Sequence, residues 1–340
     1  MSRVMGMIAK MLGLNKSDTA LVIGGDCVSL AVGPDGVPWK MPAYVAIHAA
    51  SKRVLAVGEE AKKMYGREPV NIKVLRFTSH GGFGLTQDLG EAALRYVLRS
   101  RVRAKIAPRI VVAVPEQGKI SAKEACTRAG CREVVTIRPA MAAALGCGLA
   151  VDAPEIRAVF VLERDWCAFA LISLSGFVAE FELPLGIDSL LEDVALHAMA
   201  TRNVALDLES LHETFLSSGL SGGEMLGWET WLDELETGRV TSASYSEKDM
   251  MRGALPWLYR MRWQYRTALQ AVDKAKTRDG SVAPLHFCSP YAKLPGMTQL
   301  VAKIFSREVI VPEAGELAMV RGVQVFLKHL DELYRVAADF

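Results

Sequence analysis

Six cysteines, six histidines and one glycine-rich run are the residues whose types could carry chemistry in this chain. Cys27, Cys126, Cys131, Cys147, Cys167 and Cys288 include no Cys-x-x-Cys pair, and with so few histidines a zinc site is not indicated. Most of these cysteines sit among apolar or small residues, as buried thiols do, and fit a reducing cytoplasm. His48, His80, His197, His212, His286 and His329 fall in no nucleophile–His–acid pattern and read as surface or satisfied core residues. Ser79-His80-Gly81-Gly82-Phe83-Gly84 lacks the Lys and Ser/Thr that a phosphate-binding P-loop needs, so it reads as a flexible loop.

The elements that would position a site follow from periodicity. Ala20–Ile23 is a buried-type strand, Gly24-Gly25 a turn, Ser29–Val32 a returning strand and Tyr44–Ile47 a third. Such a start is a β-hairpin, unlike the βα start of a dinucleotide-binding domain. Glu59–Tyr65, Leu89–Arg99, Ser121–Ala129 and Ala140–Leu149 read as helices, with strands at Ile110–Val114 and Val134–Ile137. From residue 151 the plan repeats. Strands Ala158–Leu162, Ala168–Leu174 and Phe177–Glu182 are joined by tight turns, which points to two related lobes. Ser189–Met199 and Leu206–Ser217 read as helices. Residues 219–250 look loop-like, with Trp228 and Trp231 on an amphipathic segment. Leu255–Ala275 reads as one long helix carrying Trp257, Tyr259, Trp263 and Tyr265. The tail holds strands at Leu285–Cys288 and Val309–Val311 and helices at Met297–Phe305 and Ala318–Leu333.

Composition narrows the class. The 340 residues are 51% hydrophobic and 23% charged, the balance of a folded protein with ample core. Forty basic and 38 acidic residues leave a net charge of +2, which does not call for nucleic acid. Arg95, Arg99, Arg101, Arg103, Lys105 and Arg109 form the one basic concentration, read as a solvated helix end or as a contact for anionic lipid. No stretch reaches the ~18–20 apolar residues of a spanning helix. Residues 1–16 place Met5, Ile8, Met11 and Leu12 at helical spacing among Arg3, Lys10 and Lys16. That is an amphipathic helix, packed on the domain or lying on a membrane surface.

The residues resemble the MreB family of bacterial actin homologues. Pro42–Ile47, Val54–Met64, Gly66-Arg67 with Pro69 and Asn71-Ile72, Ala129–Val134, Met141–Ala144 with Gly146 and Gly148-Leu149, and Ile172–Leu174 match it in order and spacing. The collinearity covers roughly residues 10–217 and again about 285–328. The resemblance implies an α/β chain with the actin-like ATPase fold (ribonuclease H-like). Two lobes, each a mixed sheet flanked by helices, enclose a nucleotide cleft. Its expected boundaries are an N-terminal segment at 1–16, a first lobe at 17–150, a second at 151–317 with a divergent region at 218–282, and a C-terminal helix at 318–340 returning to the first lobe. Family members polymerise and organise wall synthesis at the inner membrane.

The family's cleft chemistry is altered here. Its first phosphate hairpin reads Asp-Leu-Gly-Thr-x-Asn-Thr, and this chain has Ile23-Gly24-Gly25-Asp26-Cys27-Val28-Ser29. An isoleucine cannot bind a cation. The second hairpin, Asp-Ile-Gly-Gly-Gly-Thr-Thr, is Val161-Leu162-Glu163-Arg164-Asp165-Trp166-Cys167. The missing glycines predict strain of about 1–2 kcal/mol at each position that keeps a left-handed backbone, and Trp166 is expected to crowd the space. A Gly-Gly-Gly loop is replaced by Ser289-Pro290-Tyr291, while Gly-Gly-Asp survives in part as Gly186-Ile187-Asp188. The segment between Val114 and Ala125, where the family's water-positioning glutamate is expected, offers Glu116 and Glu124 as candidates only.

The expectation is a vestigial nucleotide site comprising Gly24, Gly25, Asp26, Ser29, Gly186 and Asp188. It has no catalytic residues, no resident metal, and no ATP or magnesium unless the altered loops are compensated. The partners expected are a second copy or an MreB filament, and the inner face of the membrane through the N-terminal helix. The location is cytoplasmic. Two other readings stay open. One is an ATPase whose magnesium ligands have moved to Asp26, Asp165 and Asp188. The other is an interaction module that docks through the Trp-rich region 228–263.

Overall fold

The computed structural model describes residues 18–79, 82–83, 87–102, 107–229, 240–270 and 283–338. Met5, Ile8, Met11 and Leu12 therefore lie outside the described residues, as do His80, Arg103, Lys105 and Trp231. The chain divides into two compact units. One comprises Met1–Leu149 with Leu317–Phe340, and the other Ala150–Glu316.

The first unit is built on β1 (Thr19–Ile23), β2 (Cys27–Val32) and β3 (Trp39–Pro42), an antiparallel meander. Next come β4 (Tyr44–His48), β5 (Val54–Val57), β6 (Ile72–Arg76) and the short hairpin β7 (Thr78–Ser79) and β8 (Gly82–Phe83). Then follow β9 (Arg109–Ala113), parallel to β1, and β10 (Glu133–Ile137), parallel to β9. The sheet order is β10-β9-β1-β2-β3, and a second sheet runs β5-β4-β6. The helices are α1 (Glu59–Met64), α2 (Gln87–Val97), α3 (Lys119–Arg128) and α4 (Pro139–Gly146), and α2 runs on into a π-helical turn, Leu98–Val102. β1 reads Thr-Ala-Leu-Val-Ile and is buried at every position. Leu21 and Ile23 join Leu30, Ile110, Val112, Val97 and Ala125 in one core. The C-terminal helix, Ala318–Ala338, packs on α4 and on β1 and β9.

The second unit repeats this order. β11 (Arg157–Leu162), β12 (Cys167–Ser173) and β13 (Gly176–Leu183) form the meander. They are followed by α5 (Ile187–Arg202), β14 (Val204–Leu206), α6 (Leu208–Ser218), β15 (Gly222–Glu229), β16 (Val240–Ser246), α7 (Glu247–Gly253) and α8 (Leu255–Gln270). Last come β17 (Leu285–Cys288), α9 (Met297–Phe305) and β18 (Val309–Ile310). β17 is parallel to β11, and the sheet order β13-β12-β11-β17-β18 mirrors that of the first unit. Phe160, Phe169, Phe287 and Phe305 cluster in its core, with ring centroids 4.8 to 5.6 Å apart in the contacting pairs.

Several expectations are corrected. The third strand of the first meander is Trp39–Pro42, while Tyr44–His48 opens a separate sheet. Pro42 can close a ladder but cannot donate to one, and the chain leaves the sheet there. Within 219–250 the described segments Gly222–Glu229 and Val240–Ser246 are strands and not loop: β14, β15 and β16 make a three-stranded antiparallel sheet. Ser221-Gly222-Gly223 is loop-like in sequence, yet Gly222, at φ +84°, lies against the Tyr245 backbone of the neighbouring strand, where no Cβ fits. Tertiary pairing has overridden the local composition. Of the aromatics on α8, Trp257 is fully buried, whereas Tyr259 and Trp263 are about two-thirds exposed (64% and 63%). Arg109 does not belong to an exposed basic cluster, because it is buried and bonds Asp18 through Nη2 at 2.6 Å.

The crossing of α4 with the C-terminal helix depends on two glycines. A Cβ at Gly146 would collide with the Ala318 carbonyl, and one at Gly322 with that of Ala142. Gly146→Val or Gly322→Val is expected to lower stability by about 3 kcal/mol in denaturant unfolding. Gly176→Ala is the control. Its Cβ would meet nothing closer than 3.7 Å, and a change below about 0.5 kcal/mol is expected.

Candidate functional site

The first hairpin turn lies between β1 and β2. The Gly24 amide donates to the Cys27 carbonyl at 2.9 Å, which leaves Gly25 and Asp26 at the tip. Thr78 Oγ1 donates to the Gly25 carbonyl at 2.9 Å and the Ala43 amide to that of Asp26 at 2.7 Å. The Asp26 carboxylate stands 4.0 Å from Arg76 Nη1. The turn is thus bound from two sides to its own unit. Ser29 lies further along β2, paired with Val22 and Lys40 and almost buried. Ile23 is wholly in the core.

The second hairpin turn, between β11 and β12, uses the same bond. The Glu163 amide donates to the Trp166 carbonyl at 2.9 Å, leaving Arg164 and Asp165 at the tip. None of these residues has a positive φ, so the strain expected from the missing glycines is absent. The turn has taken an ordinary backbone path instead of holding side chains in a glycine conformation. Trp166 is fully buried. Val161 is likewise buried.

The start of α5 closes onto this turn. The Ile187 amide donates to the Glu163 carbonyl at 3.2 Å and the Asp188 amide to that of Arg164 at 2.7 Å. The first amides of a helix have no partner within it and commonly receive an anion. In α5 two of them are taken by the hairpin. Gly186 permits the approach, since a Cβ there would collide with the Arg164 carbonyl and the Asp165 amide. The Arg164 guanidinium, itself buried, then bonds Asp188 Oδ1 through Nε at 2.8 Å and Glu209 Oε2 through Nη2 at 3.1 Å. Glu209 stands in the first turn of α6, which Asp207 caps by accepting from the Ser210 amide at 2.8 Å. One cation therefore ties the hairpin to two helix N-termini.

The third loop follows β17. Ser289 Oγ donates to the Leu162 carbonyl at 2.6 Å and accepts from the Tyr291 amide at 3.0 Å. Pro290 has no amide to offer, and Tyr291 is buried. Glu116 bonds Lys119 at 3.1 Å and Glu124 lies 3.8 Å from Arg128. Among the described residues no three His, Cys, Asp or Glu side chains gather as a metal site.

Gly24, Gly25 and Asp26 thus share one turn, with Ser29 along its strand, and Gly186 and Asp188 share another with Arg164. Sequence reasoning missed Glu209, Arg76 and Thr78. Glu209 lies 45 residues from Arg164 and Thr78 lies 53 from Gly25, separations that no local pattern reports.

Residues 16–214 match the family model described as MreB/Mbl protein. The cell shape-determining protein MreB of Escherichia coli (strain K12) is 31% identical over 193 residues, 54% of this chain and 55% of that protein. The chain thus spans about half the length of the curated relatives it matches at this level. Among solved structures, MreB5 of Spiroplasma citri bound to AMPPNP superposes with a TM-score of 0.83 at 16% identity, over 95% of this chain and 99% of that one. The MamK double helical filament superposes at 0.70 and 10% identity, over 92% and 99%. No helix among the described residues is long and apolar enough to cross a membrane. The sequence match and the mirrored mixed sheets together make this chain a member of the MreB/Mbl family, with the actin-like fold.

Proposed function

We propose that this chain is a cytoskeletal scaffold serving cell shape, which assembles with itself or along a filament of an MreB relative and neither holds nor hydrolyses ATP. One observation carries the reading. The Arg164 guanidinium and the two carboxylates it bonds occupy the hairpin–helix junction, the kind of place where a phosphate would need open amides. The residues do not fit a magnesium triphosphate. The leading α5 amides are spent on carbonyls of the turn, Ile23 and Val161 are core side chains where the family pattern has aspartates, and the Ser289–Tyr291 loop is closed by its own hydroxyl. Asp26 and Asp165 would add negative charge beside any phosphate.

With the turns closed by protein groups, no ligand is needed to order either hairpin. Assembly then depends on the fold and not on a nucleotide cycle. Residues 1–16 supply a weak peripheral contact with the inner face of the membrane, which many copies on one polymer would strengthen.

Titration calorimetry of the purified protein with ATP and magnesium is the direct check. No saturable heat is expected, corresponding to a Kd weaker than about 1 mM. Micromolar binding lost on replacing Asp26, Asp165 or Asp188 would instead establish a relocated metal site. Pelleting without nucleotide, alone and with an MreB relative, should recover the chain in the polymer fraction.

Arg164→Ala leaves Asp188 and Glu209 facing each other without their cation. Both carboxylates are partly exposed, so a loss of about 2 kcal/mol is expected in denaturant unfolding with no ligand present. Unchanged stability would mean that the guanidinium does not hold the junction.

A further inference from the structure

The end of α3 carries a feature that the two hairpin turns do not use. The helix stops in a Schellman turn. The Cys131 amide donates to the Cys126 carbonyl at 3.1 Å, the Gly130 amide donates to that of Thr127 at 3.0 Å, and Gly130 takes the left-handed φ of +100°. Such turns bring together the side chains of the two residues joined by the longer bond, usually as an apolar contact. Here both are cysteines. A direct backbone hydrogen bond keeps their α-carbons within about 7 Å, the reach of a disulfide.

We propose that Cys126 and Cys131 are a modification site, a dithiol that closes reversibly to an intramolecular disulfide by exchange with a low-molecular-weight disulfide.

The two thiols are unequal, as a working exchange pair requires. Cys126 is fully buried, while Cys131 is 7% exposed and is flanked by the exposed Gly130 and Arg132. The hydrogen bond between the two side chains holds the Cys126 thiol well above its ordinary pKa, with burial adding to it, and the same bond lowers that of Cys131. Cys131 is therefore the attacking thiolate and Cys126 the resolving thiol. Cys131 Sγ loses its proton, bonds one sulfur of the small disulfide and expels the other as a thiolate, which takes up a proton. Cys126 Sγ then loses its proton, bonds Cys131 Sγ and expels the second small thiolate, which is protonated in turn. Two protein thiols are oxidised to one disulfide, and one small disulfide is reduced to two thiols. Cys167 is the internal contrast. Burial raises its thiol far above the ordinary range, and its sulfur faces Met261 Sδ at 3.8 Å. It should stay reduced.

The closed form would tie the end of α3 to the entry of the edge strand β10, which begins two residues later at Glu133. In a reducing compartment the pair rests as the dithiol and closes only when the thiol pool becomes oxidised.

The test uses the folded full-length chain, equilibrated with oxidised glutathione, alkylated and digested with trypsin. Cleavage after Lys123, Arg128 and Arg132 places the two cysteines on separate peptides, Glu124–Arg128 and Ala129–Arg132. The expected product is these two peptides joined, lighter by two hydrogens than their sum and separated by reductant. Recovery of both as singly alkylated peptides after full oxidation, with circular dichroism unchanged, would overturn the proposal. The order of attack has its own readout. Cys126→Ser should accumulate a glutathione adduct on Cys131 about ten-fold faster than Cys131→Ser accumulates one on Cys126, and equal rates would refute it. Should either variant unfold, the peptide map of the unaltered chain still decides.

Discussion

The central strand of each unit must satisfy two neighbours and bury both faces at once. β1 pairs antiparallel with β2 and parallel with β9, and β11 does the same with β12 and β17. Side chains on both faces of these strands are out of water, as in sheets covered on both sides. A one-residue slip would keep the hydrophobic character but break both ladders together. The end of the strand, and the turn that follows, are therefore held in place. Both turns accordingly show the same bond, Gly24 to Cys27 in one unit and Glu163 to Trp166 in the other.

What fills each turn differs. The first tip is held from outside the hairpin, by Thr78 of β7 donating to the Gly25 carbonyl and by the Ala43 amide donating to that of Asp26. In the second, Glu163, Arg164 and Asp165 follow a path with ordinary φ and no left-handed backbone. Arg164 then finds two carboxylates at helix starts, where negative charge is already favoured by the helix dipoles. The side chains at this junction are thus mutually consistent. An arginine beside Asp188 and Glu209 offsets the repulsion that those two groups would otherwise exert on each other. This internal balance is what supports the proposal of a scaffold.

The small-residue helix α4 illustrates a different economy. Its run Ala-Met-Ala-Ala-Ala-Leu-Gly has little side chain to bury, and its stability comes from backbone approach to the C-terminal helix through Gly146 and Gly322. Asp18 plays a comparable part at the other end of β1, where it receives the buried Arg109 and lies 3.8 Å from Arg132. Charges that look like a basic surface in one dimension are partly structural in three.

By itself the sequence determined the strands and helices whose apolar period is strong. The strand at Leu285–Cys288 and the helix at Met297–Phe305 are found at their expected ends. It also determined the order of elements that makes two similar meanders, since hairpin and helix signals are local. Only the tertiary structure decided the rest. Gly222-Gly223 and Thr241–Ser244 carry loop composition yet form strands, because backbone pairing with the neighbouring strand outweighs a weak local preference. The third meander strand, Trp39–Pro42, carries too little alternation to be seen before β2 supplies its partner. The ordinary φ values of the second turn were not legible either, since φ depends on the path the whole turn takes. Arg164, Asp188 and Glu209 are brought together by chain folding across 24 and 45 residues, and no one-dimensional spacing encodes a contact that two helix starts and a hairpin create jointly.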